Sequence, residues 1–296
     1  VGGTRSSTGS FYRRLVRGSR WTWIDERFRA ALPADIEQRV MTLETRDRYH
    51  AKQGRSTARV VFHAGSEPLS VYLKRHFRLP WQARLAALID PAGAHSPGAA
   101  EWRHLKRVRA LGIVVPEVVA AGEQIGPWGR LQSFLMIADL VDSQPLHEAI
   151  PAMARRLDRP TFAAWKRHLV AALVEIAATL HRAKLFHKDL YLCHFFLGPE
   201  PGDDPSMTTT ARATSHGQLT LIDLHRLGHH PVWPLRWRWK DLGELLFSTY
   251  GVEGIDDRDR IRFWRLYRKQ LGLRWPGWQA RMIVLKAARY QSHNAD

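Results

Sequence analysis

Apolar positions follow two different periods along this chain. Up to about residue 137 they come in short runs of strand length, bounded by Gly, Pro and Ser; after Pro160 they recur at helical spacing. Glu44–Tyr49 and Ala58–His63 read as two strands around a hairpin at 51–57, and Ser70–Phe77 as a third. Alternation in that third strand puts Val71 and Leu73 on one face, Tyr72 and Lys74 on the other. Val114–Ala121 and Leu131–Ile137, separated by a Gly/Pro loop at 122–129, complete an antiparallel sheet. Leu32-Pro33-Ala34-Asp35 reads as a turn opening a short helix. A longer helix has Ser96 to cap it, Pro97 at its first position and Gly112 past its end, with Glu101, Leu105 and Val108 on one face. The stripe Phe162, Trp165, Leu169, Leu173, Ile176, Leu180 predicts a core helix, Asp241 is read as opening another with Leu242, Leu245 and Leu246, and Asp256–Arg289 is helical and basic. Gly198–Gly217 is a polar Pro/Ser/Thr-rich insertion between strands, read as a mobile surface loop.

The chemistry concentrates where two short apolar strands meet carboxylates. Phe186-His187-Lys188-Asp189-Leu190 leads into the strand around Phe195, and Leu219-Thr220-Leu221-Ile222 ends on Asp223. Phosphoryl transfer needs a base for the acceptor hydroxyl and metal ligands on a rigid neighbouring element. His187, Lys188, Asp189 and Leu190 fill the first four places of the protein-kinase pattern H-R-D-L-x-x-x-N; His194 stands in place of Asn, and Asp223-Leu224-His225 in place of D-F-G. The competing reading is a buried His and a capping Asp in an ordinary α/β domain. In the kinase reading Lys74 touches the α/β-phosphates of ATP and pairs with a helical Glu. Glu101 fits that partner; alternatively it is an exposed Glu favoured by a helix N-terminus. The 51–57 hairpin holds one glycine, Gly54, so G-x-G-x-x-G is absent; it either covers phosphates with backbone N–H groups and Arg55, or is a plain surface hairpin. Ala138-Asp139-Leu140 is the expected hinge, where backbone groups of Ala138 and Leu140 would contact adenine; Asp139 gains no role from this pattern.

At these residues the chain resembles the inner-core heptose kinases of lipopolysaccharide biosynthesis. The resemblance is carried by His187-Lys188-Asp189-x-Tyr191-x-Cys193-His194-Phe195 and Ile222-Asp223-Leu224-His225-Arg226. It extends upstream through Leu43-Glu44-Thr45-Arg46, Tyr72-Leu73-Lys74 and Glu101-Trp102, and downstream through Trp239-Lys240-Asp241-Leu242. It implies an α+β, bilobal protein-kinase-like fold: a basic N-terminal arm at 1–30, partly disordered, an antiparallel-sheet N-lobe at 31–138 and a mainly helical C-lobe at 139–296. It implies an enzyme moving the γ-phosphate of ATP to a sugar hydroxyl of the lipopolysaccharide core. Asp189 would orient and deprotonate the acceptor, Asp223 would hold Mg²⁺, and Lys74, positioned by Glu101, would neutralise phosphate charge. His187 and Asp241 would support the catalytic loop. His194 would be a metal-side ligand, with Mn²⁺ possible because imidazole suits Mg²⁺ poorly, or would instead orient Asp223 or a phosphate.

Charge adds a partner class. Against 28 Asp and Glu stand 45 Lys and Arg, a net +17, which steers the chain toward anions, including the carboxylates and phosphates of core glycolipid and an anionic membrane. An Arg-rich solvated surface explains the same balance. Phe11–Arg29, basic with Trp21 and Trp23, reads as an amphipathic arm or a packed extension. The run Trp233–Lys240 could bind phosphates, face a membrane interface or pack structurally; Arg236 and Arg238 could clamp acidic groups. No apolar run reaches the roughly eighteen residues of a transmembrane helix, and the Gly/Ser/Thr-rich start is not a signal peptide. With a single cysteine, Cys193, the expected location is cytoplasmic, peripheral at the inner face of the cytoplasmic membrane. The spacing of His187, Cys193 and His194 lacks a zinc frame, and no Walker A string occurs. No A-P-E string follows Asp223, which disfavours a peptide acceptor, and no nucleic-acid motif is present. The alternatives are a kinase for another acceptor, such as a Kdo sugar or an aminoglycoside-like molecule, and an inactive kinase-fold protein binding anionic lipid.

Overall fold

The structure, a computed structural model, describes residues 19–45, 54–65, 67–77, 85, 96–126, 131–199 and 218–293. The expectations for 1–18, 46–53, 127–130 and 200–217 lie outside them. The chain divides into two compact units, 1–107 with 116–139, and 108–115 with 140–296.

The first unit is built on an antiparallel sheet of five strands: β1 (Ser19–Ile24), β2 (Arg55–Phe62), β3 (Leu69–His76), β4 (Val118–Ile125) and β5 (Leu131–Ala138), in the order β1-β4-β5-β3-β2. Two single-turn helices, α1 (Glu26–Arg29) and α2 (Ile36–Arg39), follow β1, the second after the expected turn. Ile36 and Val40 join Val71, Leu73, Val119, Phe134 and Met136 in the core. β3 alternates as its sequence requires, with Val71 and Leu73 buried and Tyr72 and Lys74 partly exposed on the opposite face. α3 (Pro97–Ala110) starts with the Ser96 hydroxyl accepting the Ala99 N–H at 3.2 Å, and the chain leaves it through Gly112 at φ +81°.

Of the two readings of the basic arm, the described part follows the packed extension: β1 is an edge strand paired with β4, and Trp21 and Trp23 pack against Trp102 of α3 at 5.3 and 5.4 Å between centroids. Two expectations in this unit need correction. The fourth strand begins at Val118 rather than Val114, since Pro116 has no N–H for a ladder. Glu44 and Thr45 are not in a strand, and the rest of that expected strand falls in 46–49.

The second unit is mainly helical. β6 (Gln144–Pro145) leads into α4 (Leu146–Arg156), which the sequence pattern did not reveal because Pro151 sits inside it. The core helix α5 (Arg159–Arg182) begins one residue before Pro160, capped by the Asp158 carboxylate accepting the Thr161 N–H at 2.8 Å. Trp165, Leu169, Leu173, Ile176 and Leu180 of its stripe are buried, and Phe162 is partly so. Short strands β7 (Leu185–Phe186), β8 (Phe195–Leu197), β9 (Leu219–Leu221) and β10 (Gly228–His229) form two small antiparallel sheets, β10-β7 and β6-β8-β9. α6 (Pro234–Phe247) starts seven residues before Asp241, at a Pro suited to a first turn, so the basic-aromatic run is helical and Asp241 lies mid-helix. The basic C-terminal segment is two helices, α7 (Asp257–Gln270) and α8 (Pro276–His293), interrupted at Gly272 and Trp275, both at φ 57°.

Candidate active site

In the first unit β3 and α3 bring one ion pair together. The Lys74 ammonium lies 2.7 Å from Glu101 Oε1, with their side chains 19% and 4% exposed. A carboxylate this buried requires a cation, and Lys74, on the exposed face of β3, supplies it. Gly54 takes φ +74° in the turn before β2, and Arg55 is an exposed first residue of that strand. At the end of β5, the Ala138 N–H is spent on the Glu117 carbonyl at 2.8 Å, and Leu140 accepts from the Ser143 N–H at 3.2 Å. Asp139 has a local role: its carboxylate accepts from Arg59 at 2.7 Å and from the Ser70 hydroxyl at 3.0 Å, tying the end of β5 to β2 and β3.

In the second unit the loop after β7 is held by one face of α6. Asp241, fully buried, accepts the backbone N–H groups of His187 and Lys188, each at 2.8 Å. One turn on, Glu244 accepts the Leu190 N–H at 3.3 Å, and Ser248 Oγ accepts the Leu192 N–H at 3.0 Å. Residues 241, 244 and 248 are spaced i, i+3, i+7, so a single stripe receives four backbone donors of the loop. Lys240 reaches across the same face to the Lys188 carbonyl and to Glu244. Burial raises the Glu244 carboxyl above the usual carboxylate range, with Lys240 opposing it.

Behind Asp241 runs a buried polar chain. His181, at the end of α5, has Nε2 3.2 Å from Asp241 and Nδ1 2.5 Å from the hydroxyl of Tyr267 in α7. Burial lowers the His181 pKa despite Asp241, so the ring is neutral, donating from Nε2 and accepting the Tyr267 O–H at Nδ1. His187 is likewise neutral through burial, and its Nε2 donates to the Ile222 carbonyl at 3.0 Å. The Ile222 N–H donates in turn to the His194 carbonyl at 2.9 Å. Both ends of that residue are thus pinned immediately before Asp223, which adopts a left-handed conformation at φ 59°, ψ 53° that Asp tolerates better than most residues.

The two carboxylates have different surroundings. Asp189 is gripped by Arg226, whose Nη1 lies 2.7 and 2.9 Å from its two oxygens, with Lys240 3.9 Å away. Asp223 has Oδ1 2.6 Å from His225 Nδ1 and Oδ2 3.8 Å from His194 Nε2. His194 Nδ1 donates to the Asp189 carbonyl at 2.6 Å, so this ring links the two acidic residues. Burial opposes its protonation, but hydrogen bonds to Cys193 and Asp189 and the charge of Asp223 outweigh that and push the pKa up to about 9. Among the described residues no three His, Cys, Asp or Glu side chains converge as a metal cage. A Mg²⁺ bound mainly through nucleotide phosphates needs only one or two carboxylates, and the Asp223 carboxylate, 32% exposed on a fixed peptide, fits that demand.

Residues the sequence reasoning did not single out for roles include Arg226, Glu244, Ser248, His181 and Tyr267. Arg226, which meets Asp189, and Glu244, which meets the Leu190 N–H, carry no spacing signal and reach the loop only through folding; the i, i+3, i+7 relation of Asp241, Glu244 and Ser248 was readable once the helix was known to start at Pro234. Arg238, expected with Arg236 as an exposed clamp, is 8% exposed and directed to Gln279 at 3.5 Å, because its position faces α8; Arg236 remains exposed.

Residues 91–267 match the lipopolysaccharide kinase (Kdo/WaaP) family. The lipopolysaccharide core heptose(I) kinase WaaP of Pseudomonas aeruginosa is 31% identical over 223 residues, 74% of this chain and 75% of that one. The protein of the same name from Escherichia coli is 31% identical over 169 residues, 56% of this chain and 58% of that one. A solved structure of WaaP in complex with acyl carrier protein superposes with a TM-score of 0.65 at 27% identity, covering 90% of this chain and 98% of the other. A family match over more than half of the sequence, with the antiparallel-sheet and mainly helical units in the order of a kinase-like fold, places the chain: it belongs to the lipopolysaccharide kinase (Kdo/WaaP) family and is a protein-kinase-like phosphotransferase.

Proposed function

We propose that the chain transfers the γ-phosphate of ATP to a heptose hydroxyl of the lipopolysaccharide inner core, acting at the cytoplasmic face of the membrane. The observation that carries this reading is the pair Asp189 and Asp223, each presented by backbone that Asp241, His187 and His194 hold in place. Asp189 accepts the proton of the acceptor hydroxyl as its oxygen attacks the γ-phosphorus and ADP departs. Lys74, positioned by Glu101, neutralises charge on the α/β-phosphates, and Gly54, Arg55 and the backbone of Ala138 and Leu140 are the proposed nucleotide contacts. Asp223 would hold Mg²⁺, which when bound would supply positive charge to offset that developing on the phosphates. His194, with Nδ1 donating to the Asp189 carbonyl, presents Nε2 toward Asp223 and orients that carboxylate by charge. Arg226 fixes the Asp189 carboxylate and leaves a cation beside the transferred group.

The relative solved with acyl carrier protein suggests a protein partner of the same kind. Among the described residues no helix is long and apolar enough to cross a membrane, and the +17 charge supports a peripheral, salt-sensitive contact with anionic lipid. The test supplies ATP and Mg²⁺ with heptose-containing or heptose-deficient core glycolipid and follows labelled phosphate. Labelling of the first alone is expected; equal labelling of both excludes heptose as the acceptor.

A further inference from the structure

A second basic feature lies next to the catalytic loop. Between β10 and the first turn of α6, a pocket of about 310 Å³ is lined by His229, His230, Val232, Trp233, Arg236 and Trp237, with no acidic side chain among its lining residues. β10 pairs with β7, and the His230 N–H donates to the Lys184 carbonyl at 2.9 Å, so the pocket's floor is fastened to the strand that feeds Asp189. The connection is also made by side chains. Trp237 stacks on His230 at 4.4 Å and 18°, and the ammonium of Lys188, the residue before Asp189, stands 4.7 Å from the Trp237 ring centre.

Two properties of this pocket call for a ligand. Trp233 is 76% exposed and Val232 79%, a large aromatic and an aliphatic side chain left in water side by side. The Arg236 guanidinium has no hydrogen-bond or ion-pair partner among the described residues; its contact is with the Trp237 ring at 5.3 Å. Positive charge from Arg236 and nearby Lys188, with no carboxylate in the pocket lining, selects an anion. An exposed indole beside a cation suits the apolar C–H face of a sugar ring while the cation takes its acidic substituent. The volume is of the order of one monosaccharide unit.

We propose that this pocket is an acceptor subsite for an acidic sugar, with Arg236 taking its carboxylate or phosphate and Trp233 its ring face. The inference rests on the lipopolysaccharide-kinase reading and deepens it: the subsite would hold a charged neighbour of the phosphorylated sugar and so set the acceptor hydroxyl against Asp189. None of its groups takes part in the bond exchange, so the effect falls on acceptor affinity.

The experiment measures phosphate transfer to core glycolipid with its sugar carboxylates intact or reduced to alcohols, in wild type, Arg236→Gln and Trp233→Ala. Losing one charge-assisted contact should raise KM for the intact acceptor about tenfold in Arg236→Gln, with kcat and ATP affinity little changed. The same substitution should have little further effect on the reduced acceptor, whereas Trp233→Ala should raise KM for both. Equal KM in wild type and Arg236→Gln, or an equal loss on both acceptors, overturns the carboxylate assignment; a loss confined to acceptors that keep their phosphates moves it to phosphate. Direct titration with free Kdo, followed by tryptophan fluorescence, separates this from the function. Kdo binding that Arg236→Gln abolishes, in a protein that phosphorylates no heptose, sinks the heptose reading and keeps the subsite. Binding unchanged in Arg236→Gln discards the subsite even if transfer proceeds.

Discussion

Replacing Asp241 by Asn tests the brace on which the catalytic loop depends. The wild-type carboxylate is fully buried; Oδ1 accepts the Lys188 N–H and Oδ2 accepts both the His187 N–H and His181 Nε2. Asparagine keeps one acceptor oxygen. If that oxygen faces Lys188, its NH₂ group can donate to His181, which shifts to the other tautomer and donates from Nδ1 to the Tyr267 oxygen. The His187 N–H then faces another donor. The opposite amide orientation strands the Lys188 N–H instead. Either way one buried backbone donor is left unpaired, a cost of about 1–3 kcal/mol. At about 2–4 °C per kcal/mol for a unit of this size, the melting temperature should fall by about 2–12 °C. The unpaired group lies one or two residues before Asp189, and a displacement of about 1 Å there costs roughly a hundredfold in rate. Thermal unfolding by circular dichroism and steady-state kinetics on the same preparation measure both effects, with ATP affinity as the control. A variant melting within about one degree of wild type and turning over at the wild-type rate would refute the brace.

Lys74→Met strands the nearly buried Glu101 carboxylate and should destabilise by about 3–5 kcal/mol, much of it recovered in Lys74→Met/Glu101→Leu; denaturant midpoints that do not differ between the single and double variants would show the pair to be incidental. Asp189→Asn should cut turnover by about a hundred- to ten-thousandfold while leaving ATP affinity near normal, and near-normal turnover removes Asp189 from the role of base. Asp223→Ala should abolish the Mg²⁺ dependence of nucleotide binding, as read by calorimetry with and without the ion; affinity that ignores both changes refutes the metal assignment. Because the His194 pKa is raised above its ordinary value of 6.5 to about 9 in the folded chain, its contribution to stability is fully present below pH 6.5 and is lost as pH rises through about 9. Imidazole NMR on the metal-free protein should show the ring titrating near 9 and the decline in stability should vanish in His194→Asn; a ring titrating at its ordinary pKa would contradict the proposed charge on His194.

Where local pattern suffices, the sequence was direct. Period-two alternation in β3 put Lys74 opposite the Val71/Leu73 core face, and Ser96, Pro97 and Gly112 bounded a helix that carries Glu101 on its buried side. Those two residues meet at 2.7 Å because both are fixed by short-range rules on neighbouring elements. Where local signals conflict it was less so: Pro151 masked α4, and the dense Trp and Arg of 233–240 disguised the first turns of α6.

The chain's own order therefore determined the two carboxylates, the Lys–Glu pair, the sheet-then-helix arrangement and the charge that favours anionic acceptors. Tertiary structure alone decided what surrounds them. Arg226 and Asp189 lie 37 residues apart, Asp241 and His187 lie 54, and His181 and Tyr267 lie 86. No propensity or period acts over such separations; the contacts exist because α5 packs with α7 and α6 with α8, and this packing carries their polar residues along. The same packing turned Arg238 inward and left Arg236 and Trp233 in solvent, a distinction invisible in a run where five of eight residues are Arg or Trp.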